Sequence, residues 1–349
     1  MLPRFWLCIW NAGLSGVPKL FVAATLTGWT GVNLFFVLSG FLITGIPLDK
    51  KNTNDYYRRF YYRRALRILP IYYFVLALLA VLPRLGLIDR QASWSYLGLC
   101  LIYLANVTEL FGVPMQYGVL WTLAVEEHFY LFWPMLVRAL SRRSAVIAGT
   151  TVVLLCPILR WTYYWLGYNV GQSYTWLYAD GLALGAILVA LVRGTLGSRP
   201  AMWRLTLVLG VASLCLFAGG AHFGIFLASR GMGLVLRSTA LNLFFAGGLT
   251  LTLLLGSRQW RAFATWKTLR FCGDISYGLY LIHMLVFDIV DHFTRILLPS
   301  MVAGSGHFGL MIVRFIVGAG MTTLIAYVSR WHFEEYFLKM KERPVWRHQ

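Results

Sequence analysis

Charged residues, and acidic residues above all, are scarce in this sequence. Asp and Glu number 13 and Lys and Arg 31 among 349 residues, so only 13% of the chain is charged. A soluble domain carries about 25% charged residues, whereas 59% of this chain is hydrophobic. The deficit excludes an ordinary soluble domain and predicts a polytopic membrane protein whose apolar surfaces face lipid or other helices.

Paired cysteines and common catalytic signatures are also missing. The 5 cysteines lie in or beside apolar segments and show no C-x-x-C or other metal-ligand spacing. We therefore interpret them as small hydrophobic helix residues and predict no metal site. The pattern G-x-S-x-G does not occur, which disfavours an acyl-serine step. The longest non-spanning segments, 84–118 and the C-terminal tail, are too short for a second core, so residues 1–349 are predicted to form one domain.

Long apolar segments are what the sequence does contain. A spanning helix needs about 20 residues. Segments of that kind lie near 29–48, 68–83, 119–137, 145–163, 174–192, 203–220, 234–256, 275–298 and 308–329. Residues 5–12 are too short to cross, and 96–111 is broken by polar residues. The pattern predicts an all-α membrane helix bundle with nine full transmembrane helices and a truncated N-terminal one, followed by an outer loop, within 1–27.

Loops that are rich in basic residues alternate along the chain with loops that contain few. The segments 49–67, 138–143, 193–204, 257–270 and 330–349 hold 22 of them, and the loops between hold seven. The alternation requires that 96–111 does not cross, so 84–118 becomes an outer loop that dips partly into the membrane. The positive-inside rule then predicts a multi-pass protein of the cell (inner or plasma) membrane, with lipid contacts and a cytoplasmic amphipathic tail, 330–349. The net charge of +18 is explained without a nucleic-acid partner.

The stretch "DYYRRFYYRRALRILPIYY", 55–73, concentrates arginines at the predicted cytoplasmic end of a span. Arg59, Arg63 and Arg67 share a helix face, and Pro70 is expected to limit the regular helix. Arginine suits phosphate, and the interleaved tyrosines could stack on a nucleotide base. The stretch indicates either a phosphorylated cytosolic ligand or a topology signal with anionic-lipid contacts.

The stretch "LWTLAVEEHFYLFWPMLV", 120–137, places Glu126, Glu127 and His128 inside an apolar run. Each charge at that depth costs about 2.5–3.5 kcal/mol, and intramembrane acids are functional hypotheses by default. Tyr130 shares a helix face with Glu126 and with Glu127. The alternative is a structural role, such as a contact between Glu126 and an arginine of 58–67.

Two further stretches carry small or polar residues within apolar segments. In "GDISYGLYLIHMLV", 273–286, Tyr280 and His283 share a face, and His283 is either functional or a hydrogen-bonded structural residue. In "GWTGVNLFFVLSGFLIT", 28–44, small residues such as Ser39 favour close helix packing over a direct role. Arg314, isolated in the last span, needs a partner within the bundle or must snorkel.

Together, these four stretches and a final Phe-Glu segment resemble the acyltransferase-3 family over residues 28–340. Members are integral-membrane O-acyltransferases. The resemblance implies an acyl-CoA donor, usually acetyl-CoA, that enters from the cytoplasm as a co-substrate. It implies an acceptor hydroxyl on a cell-envelope carbohydrate, a polysaccharide or a modified natural product, and no bound cofactor.

The resemblance also assigns roles to particular residues. Arg63, Arg64 and Arg67 are expected near the CoA phosphates, with Tyr73 as a further contact to CoA. Glu126, Glu127 and His283 are expected to line the cavity where the thioester meets the acceptor. The residues predicted to contact the substrates are Ser39, Tyr130, Tyr277 and Tyr280. The predicted reaction is direct transfer, in which a base deprotonates the acceptor hydroxyl.

The sequence departs from the family at its N-terminal end. The family pattern begins with a span carrying Arg, ten residues and then His, the favoured base, whereas Asn11 stands about where that His is expected. Either the start codon lies too late or the sequence is a gene fragment, or the protein lacks the usual base. Two alternative functions stay open: a non-catalytic relative that binds acyl-CoA or a glycan, and a transporter of lipid-linked glycan.

Overall fold

The structure is a computed structural model that describes residues 27–49, 55–169, 171–194, 197–223, 225, 232–255, 265–299 and 308–340. No β-strand occurs within these residues. The helices are α1 Gly31–Asp49, α2 Tyr56–Val81, α3 Trp94–Leu101, α4 Leu120–Ala139, α5 Arg142–Trp165, α6 Thr175–Tyr178, α7 Asp180–Val192, α8 Arg199–His222, α9 Met232–Leu255, α10 Lys267–Leu297, α11 Phe308–Val328 and α12 Glu335–Met340. The regular secondary structure of the described residues is thus all helical.

Seven of the described helices are long and apolar enough to cross a membrane. They are α1, α2, α5, α8, α9, α10 and α11 with its extension. Helix α4 is 20 residues long, but Glu126, Glu127 and His128 lower its mean hydropathy. Helix α7 has only 13 residues, or about 20 Å. A multi-pass membrane protein is confirmed, whereas the count of nine full spans stays a prediction, and residues 5–12 lie outside the described residues.

Helix α2 differs from its prediction at Pro70. The helix begins at Tyr56, within the arginine-rich stretch, and continues through Pro70 to Val81. The expectation that Pro70 limits the helix was wrong. Membrane helices tolerate proline because neighbouring groups satisfy the backbone atoms that the ring leaves without a partner.

The described residues fall into two compact units. The first unit includes Arg58–Leu120 and the described residues from Thr265 onward, and the second includes Gly28–Tyr57 and the described residues of Trp121–Ala264. The predicted site residues are therefore divided between two parts of the fold.

In the second unit, α1 and α7 pack backbone against backbone. A Cβ atom added at Gly40 would overlap the Leu182 carbonyl, and one added at Gly185 would overlap the Val37 carbonyl. Only glycine allows so close an approach, which membrane helices use because dispersion contacts replace the hydrophobic driving force. Around this contact, the buried core consists of Val37, Leu184, Leu188, Leu209 and Ala246.

A fully buried arginine joins three other parts of the second unit. Arg160 of α5 is 0% exposed and donates to both carboxylate oxygens of Asp180, at 2.8 and 3.4 Å. It also donates to the hydroxyl of Thr239, at 2.5 Å, and to the carbonyls of Val235, at 3.2 Å, and Leu177. The charge is thereby neutralised, and α5 is tied to α6, α7 and α9.

In the first unit, the segment between α2 and α4 runs beside α2. Its one α-helix, α3, has 8 residues and is too short to cross a bilayer, as expected. The hydroxyl of Tyr72 donates to the Cys100 carbonyl at 2.7 Å, and that of Tyr73 donates to the Leu101 carbonyl at 3.1 Å. Tyr72 lies nine residues before the end of α2, so α3 packs about 13 Å along α2 from that end.

The isolated arginine of α11 has its partner within the bundle. Arg314 forms a two-pronged ion pair with Asp291 of α10, of which the Nη2–Oδ2 distance is 2.7 Å. Its guanidinium also lies 4.8 Å from the ring centroid of Phe287. The pair and the aromatic face explain how a charge is accommodated there without snorkelling.

The last helix continues past the predicted end of its span. After α11, a π-helical segment, Ser329–Glu334, leads without interruption into α12. The predicted tail is thus continuous with the last long helix as far as Met340, and residues 341–349 lie outside the described residues.

Candidate active site

The acidic residues of α4 are buried in the second unit. Glu126 is 3% exposed and Tyr130, one helical turn further on, is 2% exposed. The Oε1 atom of Glu127 and the hydroxyl of Tyr130 are both inaccessible to solvent. A carboxyl group in such a position is useful chemically because it can exchange a proton or orient a cation.

Helix α6 contacts α4 beside these acids. The Nδ1 atom of His128 lies 2.7 Å from the Thr175 hydroxyl, and the rings of Trp121 and Tyr178 are 5.3 Å apart. The sequence did not predict the contact with Thr175, because a single threonine 47 residues away from His128 matches no recognisable motif. The contact fixes the orientation of the helix that carries Glu126 and Glu127.

Ser39 lies in the same unit and is buried within α1. Its neighbour Gly40 makes the close backbone contact described above. This position accords with the packing role that the sequence favours, and its contact with a substrate stays a prediction.

The three arginines predicted to bind CoA belong to α2 of the first unit. The side chains of Arg63 and Arg64 are partly exposed, and that of Arg67 is exposed. The positive charges of Arg67 and Arg330 act on Glu334, which is 8% exposed in the π-helical segment. Glu334 was not among the predicted site residues, although it belongs to the final Phe-Glu pair of the sequence.

The predicted tyrosines of the first unit are engaged in helix contacts. The Tyr73 hydroxyl donates to Leu101, and the Tyr277 hydroxyl donates to the Ile68 carbonyl of α2 at 3.1 Å. The second contact ties α10 to the helix that carries the arginines. The Tyr280 ring lies 5.8 Å from the His283 ring, so these two residues do share a face.

His283 is held by its own helix. Its Nδ1 atom lies 2.6 Å from the Tyr280 carbonyl oxygen. A carbonyl only accepts hydrogen bonds, so Nδ1 carries the proton and donates it. The neutral ring then has Nε2 as its basic atom, which is the tautomer that a general base requires.

The predicted site residues form two sets, one in each unit. The second unit holds Ser39, Glu126, Glu127 and Tyr130, and the first holds Arg63, Arg64, Arg67, Tyr73, Tyr277, Tyr280 and His283. Within the parts of the chain that the structure describes, no three His, Cys, Asp or Glu residues are grouped so as to hold a metal ion.

Comparisons with known proteins place the sequence among acyltransferases. A family model described as an acyltransferase domain matches residues 9–331. The putative peptidoglycan O-acetyltransferase YrhL of Bacillus subtilis is 31% identical over 172 residues, which are 41% of this chain and 27% of that protein. The peptidoglycan O-acetyltransferase OatA of Listeria monocytogenes is 36% identical over 121 residues, 31% of this chain and 19% of that protein.

A third relative is shorter. Nodulation protein 10 of Rhizobium leguminosarum is 31% identical over 148 residues, which are 38% of each chain. The matches thus cover less than half the length of each of these relatives. No solved structure matches this chain. The family match extends over most of the chain and includes all four stretches on which the resemblance was based, so the chain belongs to the acyltransferase-3 family.

Proposed function

We propose that this protein transfers an acetyl group from acetyl-CoA to a hydroxyl group of a cell-envelope glycan, with peptidoglycan as the first acceptor to test. Membership of the acyltransferase family supports the reaction type. The names of two relatives, which both contain the words peptidoglycan O-acetyltransferase, support the choice of acceptor.

The observation that carries the proposal is the hydrogen bond between His283 Nδ1 and the Tyr280 carbonyl, at 2.6 Å. It keeps Nε2 basic in an apolar helix. Because Nδ1 donates within its own helix, the tautomer that this bond selects has Nε2 as its proton acceptor.

The reaction would proceed by direct transfer. His283 Nε2 takes the proton of the acceptor hydroxyl as its oxygen attacks the thioester carbonyl. The tetrahedral intermediate then expels the CoA thiolate, which takes up a proton, and the acetyl ester is released. General-base assistance is worth about 10²–10⁴-fold in rate. Glu126 and Glu127 are the further candidates for the base.

The donor would bind at the arginine-rich end of α2. Arg63, Arg64 and Arg67 have partly or fully exposed side chains, and planar guanidinium groups bind phosphate oxygens in pairs. If that end faces the cytoplasm of a cell-membrane protein, as the loop charges predict, the donor reaches it from the side on which acetyl-CoA is made, and the C-terminus lies on the same side.

The test uses the full chain reconstituted in liposomes. Acetyl-CoA labelled in the acetyl group is supplied with muramyl oligosaccharides from de-acetylated peptidoglycan, and alkali-labile label in the glycan is counted. We expect incorporation that depends on the protein and that does not occur with an oligosaccharide whose hydroxyl groups are blocked as methyl ethers. Uptake of unmodified glycan without acetyl-CoA would instead indicate a transporter, and binding of acetyl-CoA without transfer would indicate a non-catalytic relative.

A further inference from the structure

Two consecutive residues of the outer segment between α2 and α4, Asp89 and Arg90, tie it to one end of α10. The Oδ1 atom of Asp89 lies 2.7 Å from Nδ1 of His292, and its Oδ2 atom pairs with Arg295. The Nε and Nη2 atoms of Arg90 donate to the two carboxylate oxygens of Asp288, at 2.7 and 3.1 Å. Its Nη1 atom donates to the Gln116 carbonyl at 2.7 Å. Arg90 stands near one end of the segment and Gln116 near the other, so one side chain closes the segment and fastens it to the helix.

Further bonds make the closed segment rigid. The side chain of Gln116 accepts from the Ser93 amide, at 2.6 Å, and donates to the Ser93 hydroxyl, at 3.0 Å. The Tyr96 hydroxyl donates to the Tyr117 carbonyl at 2.9 Å and accepts from the Tyr117 amide at 3.1 Å. The two ends of the segment are therefore cross-bonded independently of α10.

The segment meets α10 at a second point. The Tyr117 hydroxyl donates to the Leu281 carbonyl at 2.7 Å. Leu281 and Asp288 are seven residues apart, which places them on one face of α10 and about 10 Å apart along it. Two attachments at that separation fix both the rotation of the helix about its axis and its displacement along that axis.

His283 lies between these attachments in the chain and on the other side of the helix, about 200° around from Leu281. Because its Nδ1 atom is bonded to the backbone of α10, the ring turns with the helix. The direction of Nε2 is therefore set by whatever sets the rotation of α10.

From these contacts we infer that Arg90 is a positioning residue for His283: by fastening the closed outer segment to Asp288, it fixes the rotation of α10 and hence the direction in which Nε2 points. The inference rests on the proposed function, in which Nε2 takes the proton of the acceptor. Burial is the largest effect on the pKa of Arg90 and lowers it, but the hydrogen bonds and the charge attraction from Asp288, with smaller effects of Tyr117 and Tyr96, together raise the pKa above its ordinary value.

The kinetic test compares Arg90→Gln, Asp288→Asn and the double variant in liposomes, with activity expressed per folded protein recovered by size-exclusion chromatography. Each single variant should lower kcat at least about 10-fold, since a displacement of 1 Å can cost about 10²-fold. The KM for acetyl-CoA should not change, because the donor arginines lie on α2. The kcat of the double variant should fall by no more than the larger of the two single-variant reductions, because both changes break the same contact.

Arg204→Gln is the matched control. It removes an exposed guanidinium from α8, away from the contact between the outer segment and α10, and kcat should stay at the wild-type value. An unchanged kcat in Arg90→Gln would overturn the inference. So would single losses that multiply in the double variant, or a rise in the KM for acetyl-CoA without a fall in kcat.

A second measurement does not depend on activity. Cys100 lies in α3, within the closed segment, and is buried. In a protein with Cys100 as its single cysteine, Arg90→Gln and Asp288→Asn should each speed alkylation of Cys100 by maleimide at least about 10-fold, since a segment released from α10 has lost part of its support and unfolds locally more often. If the wild-type protein transferred no acetyl group, the proposed function would be wrong, and the alkylation rates alone would test whether Arg90 fastens the outer segment to α10. Unchanged alkylation rates in both variants would overturn that fastening role.

Discussion

At the scale of the residue, three of the ionisable groups inside apolar helices are each held by a specific neighbour. His283 is bonded to the preceding turn, Arg314 to Asp291, and Arg160 to Asp180. The cost of placing such groups at membrane depth is thereby reduced. What distinguishes His283 is that only one of its two nitrogens is needed for this contact, so the other can do chemistry.

The first prediction concerns this nitrogen. His283→Gln keeps an amide that can donate to the Tyr280 carbonyl but cannot take a proton, so kcat for acetyl transfer should fall by about 10²–10⁴-fold with little change in the KM for acetyl-CoA. The control is His222→Gln, at the exposed end of α8, which should keep wild-type kinetics. Equal activity of both variants would show that His283 is not the base.

The second prediction concerns the buried pair of Arg160 and Asp180, both within 2% of full burial. Asp180→Asn or Arg160→Met leaves a buried charge without its counter-charge and should destabilise the protein by about 3–5 kcal/mol. The double variant should be destabilised by clearly less than the sum of the two single-variant destabilisations. Thermal unfolding in detergent measures all three, and additive losses would contradict the pairing.

At the scale of the element, the apolar pattern of the sequence predicted where the long helices lie, because length and hydropathy are local properties. It did not predict that α2 passes through Pro70, since the groups that tolerate proline come from neighbouring helices. The apolar run at 174–192 was treated as one span, yet the structure separates α6 from α7 at Ala179. Arg160 contacts Leu177 and Asp180 at this point, and such contacts between distant residues cannot be predicted from the periodicity of apolar residues.

The third prediction concerns the contact between α1 and α7. Gly40→Ala should separate the two backbones and destabilise the protein by about 1–3 kcal/mol or more, since overlap in a packed interior is costly. Gly248→Ala in α9, where nothing lies within 4 Å of the added Cβ atom, should be neutral or slightly stabilising because alanine is the better helix former. Melting temperatures in detergent compare the pair, and an unaffected Gly40→Ala would refute the close approach.

The fourth prediction concerns the packing of α3. Burial raises the pKa of the Cys100 thiol from 9.0 to about 12. Only the thiolate is nucleophilic, so the alkylation rate of Cys100 should keep rising tenfold per pH unit above pH 9. The rate for N-acetylcysteine should level off near its ordinary pKa over the same range. A plateau for Cys100 near pH 9 would mean that α3 is not packed as described.

At the scale of the whole molecule, the charge of the loops predicts how the chain is oriented. The fifth prediction uses cysteines introduced into a protein that has none. Tyr168→Cys, on an exposed loop after α5, should react with an impermeant maleimide in intact cells, whereas Ser198→Cys, exposed before α8, should react only after permeabilisation. The reverse pattern would invert the orientation and put the donor arginines on the wrong side.

The sequence predicted those site residues that are unusual for their surroundings, namely ionisable residues within apolar segments. Two glutamates and a histidine within an apolar helix, or a histidine following "ISYGLYL", are conspicuous because their desolvation is costly. The residues that orient them are not. Thr175, which contacts His128, begins the short helix α6, and Arg90 lies in the outer segment. Neither residue is unusual where it stands, and only the fold brings each to its partner.

The bond between Arg90 and Asp288 also has a consequence for synthesis at the ribosome. The two residues are 198 positions apart, and translation proceeds at about 5–20 residues per second. Arg90 therefore leaves the ribosome about 10–40 s before the carboxylate that neutralises it. During that interval the second unit is completed, while the outer segment waits with a charged side chain at the membrane surface. The first unit is the last to fold, and its assembly is where a membrane insertase or chaperone would have the longest time to act.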